Sequence, residues 1–300
     1  MYEEIARNKR RTILLLAAFA LLIFLVVLAF NFLLGYGWVG FAIAIIAAIA
    51  MAWGSYWYSD RIALATTRAK PADGPEYQRF HNLVEGLCIA AGLPKPRLYV
   101  VQDSAPNAFA TGRNPKHAAL AVTTGLLETM NRVELEGVLA HELAHVKNYD
   151  ILVTTIAVTA VGAIALISDF GLRFFIFGGG RNRGSGNNNP AGAIIAIASI
   201  ALLVLAPIAA VLMQFALSRK RELQADASGV LLTRYPPGLI SALEKLQSNH
   251  AVVRDRSRAT AQLWIESPLD REEGHRGSRL NRAFDTHPPL EERIRVLKEM

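Results

Sequence analysis

A long, uncharged apolar run lies near the N-terminus of the chain. No Asp, Glu, Lys or Arg occurs from Thr12 to Ser59, and the small sequence Gly35-Tyr36-Gly37 divides the run near its middle. Because a helix needs about 20 apolar residues to cross a bilayer, the run is long enough for two helices joined by a short turn. It is too long for the apolar core of a secretory signal, which has about 7 to 15 residues. We therefore predict a retained transmembrane hairpin in residues 1–60.

Basic residues lie at both ends of this predicted hairpin and are absent from its turn. They are Arg7, Lys9, Arg10 and Arg11 before the run, and Arg61, Arg68 and Lys70 after it. Lys and Arg favour the cytosolic side of a membrane, so both ends of the hairpin are expected in the cytosol. The formal net charge of +7 is then a feature of membrane topology. Since the basic residues form no stripe interleaved with aromatic residues, we expect no nucleic-acid partner.

Two further apolar stretches, residues 151–177 and 191–218, form a second candidate hairpin. A linker rich in Gly and Asn separates them, and three consecutive basic residues at 219–221 follow, which again indicates a cytosolic end. Asp169 and Arg173 interrupt the first of these stretches. The alternative is a buried apolar helical hairpin in the soluble part, because the uncharged stretch is close to the minimum length for a span.

The remaining segments have the patterns of a small soluble part with mixed α and β structure. Apolar residues at helical spacing predict helices, and short apolar runs bounded by Gly and Pro predict strands. The predicted elements are helices at 76–91 and 133–149, strands at 97–101, 108–111 and 118–123, a charged mobile loop at 249–282 that Leu263, Trp264 and Ile265 hold in place, and a last helix that Pro288 opens.

The predicted helix at 133–149 contains the sequence His141-Glu142-Leu143-Ala144-His145. Successive residues turn by about 100° around an α-helix, so His141 and His145 lie on one face with Glu142 nearby. Two imidazoles at this spacing are typical zinc ligands, and the offset Glu reaches the water that the ion activates rather than the ion. The single cysteine, Cys88, excludes a Cys-rich zinc site. A pair of surface histidines on an amphipathic helix is the alternative interpretation.

A catalytic zinc needs three protein ligands and one open position. No third His follows His145 at the metzincin spacing, so a carboxylate from a distant helix is the remaining option. Glu222 and Asp226 are an i, i+4 pair: Glu222 can complete a His₂Glu site, and Asp226 can hold the far ring nitrogen of a ligand histidine. Without the His motif, these two carboxylates would more often be a solvated pair beside the basic residues 219–221.

Four motifs occur in a fixed order along the chain. They are Asn107-Ala-Phe-Ala-Thr-Gly112, His141-Glu-Leu-Ala-His145, Arg221-Glu-Leu-Gln-Ala-Asp226 and His287-Pro-Pro289. With these motifs the chain resembles the HtpX-type membrane zinc metallopeptidases, a gluzincin family related to the CAAX prenyl proteases. The resemblance implies one zinc ion per chain held by His141, His145 and Glu222, with Glu142 as general base and acid. It also implies the degradation of damaged or misassembled membrane proteins under stress.

Further predictions concern substrate contacts. Asn107, Ala108 and Phe109 would lie in an edge strand beside the metal, where an extended substrate could add as a further strand. A plain structural strand fits the same residues. In similar enzymes a His before Pro-Pro lies near the site, so His287 either contacts the tetrahedral intermediate or only precedes the last helix.

Together these inferences predict a mostly α, multi-pass protein of the cytoplasmic (inner) membrane with a small α+β cytosolic metallopeptidase domain and two transmembrane hairpins. Both termini and the active site would be cytosolic. Expected partners are the lipid bilayer and membrane-protein or unfolded-protein substrates. The predicted parts are an N-terminal hairpin (1–60), a cytosolic α+β part with the zinc-binding helix (61–150), a second apolar hairpin (151–218) and a cytosolic helical part that completes the zinc site (219–300).

Two other functions fit the sequence less well. A prenyl-processing protease encloses its zinc in a large membrane chamber, so the number of spans discriminates between the two classes. The chain has at most four apolar stretches, each near the roughly 20-residue minimum for a span, which is too few for such a chamber. A transporter or membrane scaffold would place functional ionisable residues inside its spans, where Asp169 is the only acidic candidate.

Overall fold

The computed structural model describes residues 2–34, 37–160, 162, 219–249, 263–266 and 288–300. Its α-helices are α1 (Tyr2–Leu34), α2 (Gly37–Thr66), α3 (Gln78–Ala91), α4 (Thr124–Thr129), α5 (Arg132–Lys147), α6 (Asp150–Ala160), α7 (Arg219–Thr233), α8 (Pro236–Ser248) and α9 (Leu290–Lys298). The strands are β1 (Lys70–Pro71), β2 (Arg97–Val101), β3 (Ala108–Gly112) and β4 (Ala118–Thr123). The prediction of a mostly helical protein with a small sheet is confirmed.

The helices α1 and α2 form an antiparallel pair. Close to the turn, Asn31 Nδ2 donates to the Gly37 oxygen at 3.1 Å, and further along, the rings of Phe24 and Phe41 pack edge to face with centroids 5.7 Å apart. Among the described residues, α2 is the helix that is long and apolar enough to cross a membrane. Its outer surface exposes large apolar side chains, including Trp38 and Ile46, which lipid can cover.

The helix α6 continues the apolar sequence after α5 and packs against α1 and α2. Buried side chains of all three helices form one cluster, with Phe19 from α1, Ala48 from α2 and Ile156 from α6 among its members. The predicted apolar segments at 151–177 and 191–218 otherwise lie outside the described residues, as does most of the predicted loop at 249–282. Within the described residues one helix, α2, is a candidate membrane helix, and the two transmembrane hairpins stay a prediction.

The four strands form one sheet with the order β1-β2-β4-β3, in which β2 and β4 are parallel and the other pairs are antiparallel. Side chains alternate between the two faces of a strand. Accordingly, Leu120 and Val122 of β4 join the main core with α3, α5 and α8, whereas Ala119 and Ala121 face the end of α2. The sheet is therefore packed on both faces, and its two edge strands are β1 and β3.

Helix ends differ from the predicted ones for local reasons. The helix α5 begins after Asn131, whose side chain accepts from the Glu134 N–H while Glu134 bonds back to the Asn131 N–H as a capping box. It ends before Tyr149, which has a left-handed φ of 61°. The prediction that Pro288 opens the last helix is wrong, because α9 begins at Leu290 with extended Pro289 as its N-cap. Pro288 precedes Pro289, and the helical conformation is disfavoured for a residue before proline. Pro288 therefore lies outside the helix.

The helices α5 and α8 approach each other closely at Gly137. A Cβ atom at this position would lie 2.8 Å from the Leu239 nitrogen and 2.9 Å from its Cα, and both are backbone atoms that cannot turn aside. We expect Gly137→Ala to lower the free energy of unfolding by about 1–3 kcal/mol, as overpacking does. Thermal melts followed by circular dichroism in detergent measure the change.

The matched control is Gly86→Ala in α3, where an added Cβ meets nothing within 4 Å. Since Ala is a better helix former than Gly by about 1 kcal/mol, this variant should melt at the same or a higher temperature. Equal melting temperatures for the parent and the Gly137 variant would contradict the close approach.

Candidate metal centre

Three side chains from two helices converge on one point. His141 and His145 come from α5 and Glu222 from α7, and one ligand atom of each lies within 4.8 Å of the others. The two Nε2 atoms are 3.2 Å apart, and the Glu222 oxygens lie 3.7 Å from His141 Nε2 and 3.6 Å from His145 Nε2. The helices can come this close because α7 presents Gly229 to the backbone of His141.

These distances fit a tetrahedral zinc ion. Two nitrogens bound to zinc at 2.0–2.1 Å with tetrahedral angles are about 3.3 Å apart, close to the separation of the two Nε2 atoms. The donor set of two imidazoles and one carboxylate matches the His₂Glu sites of catalytic zinc enzymes, which leave a fourth position open. The chain therefore has the ligand chemistry and spacing for one such ion at His141, His145 and Glu222.

Asp226 holds the first of the two histidines. Its Oδ1 lies 2.8 Å from His141 Nδ1, so the ring donates its proton there and directs the lone pair of Nε2 towards Glu222 and His145. The Arg293 guanidinium from α9 grips the same carboxylate from Nε at 2.8 Å and from Nη2 at 2.6 Å. Burial alone would raise the pKa of Asp226, but Arg293 and His141 outweigh it and lower that pKa to about 2.

Asp150 orients the second histidine, His145, and this role was not predicted from the sequence. Its Oδ2 lies 3.2 Å from His145 Nδ1. Burial disfavours the charged imidazolium of His145, yet Glu222 and Asp150 outweigh that cost and raise its pKa to about 9. The sequence signal for this role was the position of Asp150 five residues after His145, because a short turn after α5 can fold back on the last residues of the helix. The negative field around both rings favours a bound cation.

Glu142 lies beside the two histidines with 3% of its surface exposed. Burial raises the pKa of its carboxyl group, and the charges of His141 and His145 oppose that rise. The residue lines a small cavity together with the three candidate ligands. This cavity has a volume of about 30 Å³, roughly enough for one water molecule. A carboxylate at this place can exchange a proton with a water beside the candidate ligands.

The edge of β3 borders the same cavity, but not through the three residues named from the sequence. The Asn107 side chain donates to the Glu266 oxygen at 2.8 Å, the Ala108 oxygen accepts from the Ile265 N–H at 2.9 Å, and the Phe109 ring is buried against Trp264. The next residue of the strand, Ala110, lines the cavity. His287, predicted near the site, lies outside the described residues.

Comparison with known proteins places these features in a family. The model of Peptidase family M48 matches residues 76–300. A protein named Protease HtpX homolog from Thermoanaerobacter pseudethanolicus is 42% identical over 300 residues, covering 100% of this chain and 98% of the relative. A protein of the same name from Tropheryma whipplei is 47% identical over 302 residues, with the same coverage. The crystal structure of S. mikatae Ste24p matches with a TM-score of 0.48 and 18% identity, covering 99% of this chain and 67% of that chain.

Asp226→Asn tests the role of the first carboxylate. The change leaves the buried charge of Arg293 uncompensated, so we expect a loss of about 3–5 kcal/mol in the free energy of unfolding and a fall of roughly 10–100-fold in zinc affinity. Because the pKa of Asp226 is lowered to about 2, its contribution to stability is present above its ordinary pKa of about 3.9 and is lost as the pH falls towards 2.

A double variant separates the two effects. Asp226→Asn combined with Arg293→Met removes both buried charges, so much of the stability should return while zinc affinity stays low. Chelator competition measures the affinity and thermal melting measures the stability. Parent-like zinc affinity in either variant would contradict the orienting role of Asp226.

Proposed function

The chain belongs to peptidase family M48 and is an HtpX-type metalloprotease, and from this premise we propose that it is a zinc-dependent endopeptidase that cuts misfolded or damaged membrane proteins on the cytosolic side of a membrane. One observation carries the proposal. His141, His145 and Glu222 converge with zinc-like spacing, and the buried carboxylate of Glu142 lies beside them in the same cavity.

We assign the proton transfers to Glu142. A zinc ion held by His141, His145 and Glu222 would act as a Lewis acid, which would lower the pKa of water to about 7 and polarise a carbonyl group. Glu142 takes the proton of the attacking water and delivers it to the leaving amine. Its raised pKa suits this double task, because a carboxyl group with a pKa nearer neutrality both accepts and releases a proton readily. Asp226 and Asp150 keep the two imidazoles oriented throughout.

We propose that the substrate backbone pairs with β3 at Ala110. Ala108 uses its outward carbonyl to bond Ile265, and alternation along the strand turns the backbone groups of Ala110 to the same edge. An added strand at this edge would place its peptide bonds over the cavity that the three candidate ligands line. Since that cavity holds roughly one water, substrate entry requires the segment Leu263–Glu266 to move away from Asn107 and Ala108.

The membrane setting of this site follows from its neighbours in the chain. His145 is followed within five residues by α6, which packs against α1 and α2, and Glu222 follows the predicted apolar stretch at 191–218. We propose two membrane hairpins, at 1–60 and 151–218, with cytosolic parts at 61–150 and 219–300 that together form the active site. Aromatic and basic side chains support a membrane boundary near the end of α2, where Arg113 lies 4.5 Å from the Trp57 ring. Peptide bonds of membrane proteins are then the substrates that reach the site.

The decisive test is cleavage by the full-length protein in detergent, purified under chelator and then supplied with zinc. Glu142→Gln removes the proton acceptor without changing the side chain's size, so we expect cleavage of an unfolded substrate such as casein to fall by about 10²–10⁴-fold. The variant should still bind one zinc ion per chain. Metal analysis and a fluorescence cleavage assay measure these two quantities.

The matched control is Glu136→Gln, the same substitution at a half-buried position of the same helix. It should cleave like the parent. Equal cleavage by the parent and Glu142→Gln, or cleavage that does not depend on zinc, would refute the proposed mechanism. Far faster cleavage of casein than of a membrane-protein substrate would refute the proposed substrate class.

Labelling of single cysteines tests the two hairpins. In a Cys88→Ser background, Trp38→Cys at the tip of the first hairpin and Asn188→Cys in the linker between the predicted apolar stretches should react with an impermeant maleimide on intact cells. Arg132→Cys, at the exposed start of α5, should react only after lysis. Labelling of Asn188→Cys only after lysis would show that the second apolar segment does not cross the membrane.

A further inference from the structure

The N-terminal helix α1 contacts the metal centre through one buried side chain. Asn8 is 1% exposed, and its Nδ2 donates to Asp150 Oδ1 at 2.7 Å and to the Asn148 backbone oxygen at 2.9 Å. Because both partners only accept hydrogen bonds, the NH₂ end of the amide must face them. We propose that Asn8 is a positioning residue of the metal centre, which holds Asp150 so that Asp150 can orient the ligand His145. This inference rests on the proposed zinc site.

The two oxygens of Asp150 have different partners. Oδ2 accepts from His145 Nδ1 at 3.2 Å, while Oδ1 faces Asn8 at 2.7 Å and Arg221 Nη1 at 3.7 Å. Hydrogen bonding to one carboxylate oxygen fixes the direction in which the other oxygen points. That direction fixes the tautomer and the plane of the His145 imidazole. Asn8 therefore acts on the metal ligand through one intervening side chain, from a helix distant in sequence.

The turn between α5 and α6 gives a second, independent observation. Tyr149 has a φ of 61°, a conformation that is unfavourable for a residue with a Cβ atom. Two residues of α1 contact this turn. Asn8 donates to the Asn148 oxygen, and Lys9 Nζ lies 4.8 Å from the centre of the Tyr149 ring. The position of Asp150 directly after this turn thus depends on two consecutive residues of α1.

A consequence follows for the first helix as a whole. Deeper along α1, apolar side chains such as Leu15 and Phe19 pack in one cluster with Ile156 of α6, while Asn8 makes the polar contact at the beginning of α6. The apolar contacts hold the helices together without selecting a direction for the Asp150 carboxylate. The hydrogen bonds of Asn8 supply that direction. The helix α1 is therefore part of the catalytic unit as well as an anchor.

The experiment compares variants of the full-length protein in detergent, with Zn²⁺ as the probe. Asn8→Ala removes the donor, and we expect zinc affinity, measured by competition with a chromophoric chelator, to fall about three- to tenfold, less than for the loss of a direct partner of a ligand. Asn8→Asp has the same shape but places a carboxylate against two acceptors, so it should lose more than Asn8→Ala. Both variants should also change the visible absorption bands of the Co²⁺-substituted protein, which report the geometry of the ligands.

Leu15→Ala is the matched control, because it removes a buried side chain of the same helix from the apolar cluster that α1 shares with α6. It should lower the melting temperature and leave the Zn²⁺ affinity and the Co²⁺ bands unchanged. A double variant, Asn8→Ala with Asp150→Ala, should bind zinc no more weakly than Asp150→Ala alone, since Asn8 acts through Asp150.

The outcomes separate this inference from the proposed function. If the parent binds zinc and Asn8→Ala behaves like Leu15→Ala, or if the two losses in the double variant add fully, the positioning role is overturned and the zinc site stands. If the parent fails to bind zinc, the assignment of His141, His145 and Glu222 falls, and the positioning role falls with it.

Discussion

The buried ion pair between Asp226 and Arg293 joins the elements on which the site depends. Asp226 lies on α7, Arg293 on α9, and the same carboxylate also orients His141 on α5. Both charged side chains are at most 1% exposed, so neither can exchange its partner for water. Arg293 additionally donates to the Ile265 oxygen at 3.3 Å, which connects the pair to the segment beside β3. A shift of α7 or α9 would leave a buried charge unpaired. The packing of the C-terminal helix and the orientation of His141 therefore depend on the same carboxylate.

Local patterns were enough to place much of the soluble part. The strands at 97–101 and 118–123 match the prediction residue for residue, because their apolar runs are bounded by Gly, Pro and polar turn residues. The His-Glu-x-x-His spacing likewise placed two candidate ligands on one helical face. By contrast, β1 has two residues, too few for any alternation to reveal. It follows shortly after the end of α2, so its pairing with β2 depends on the position at which α2 ends.

The sequence predicted Asp226 as the partner of a ligand histidine, but it did not reveal Asn8 or Arg293, because these residues are far along the chain from the residues that they contact. Asn8 and Asp150 are 142 positions apart, and His141 and Arg293 are 152 apart. No spacing rule connects such residues. Asn8 or Arg293 alone resembles an ordinary polar residue of a helix. The strand edge is a second example. The motif predicted substrate contacts that begin at Asn107, whereas in the structure Ala108 bonds Ile265 and Ala110 lines the cavity.

The charges around the candidate ligands explain why a cation belongs there. In the part of the chain that the structure describes, four buried carboxylates, from Glu142, Asp150, Glu222 and Asp226, surround the site against the buried guanidinium groups of Arg221 and Arg293. If all are ionised, the surplus is two negative charges in a region with little water, which is costly unless it is compensated. Burial raises the pKa of Glu142, and the charges of Glu222 and Asp150 raise the pKa of His145 against the effect of burial. Protonation of either residue reduces the surplus. A divalent ion removes the whole surplus at once and leaves both imidazoles neutral, as ligands must be. The same arrangement that is unfavourable without a metal therefore becomes balanced when one is bound.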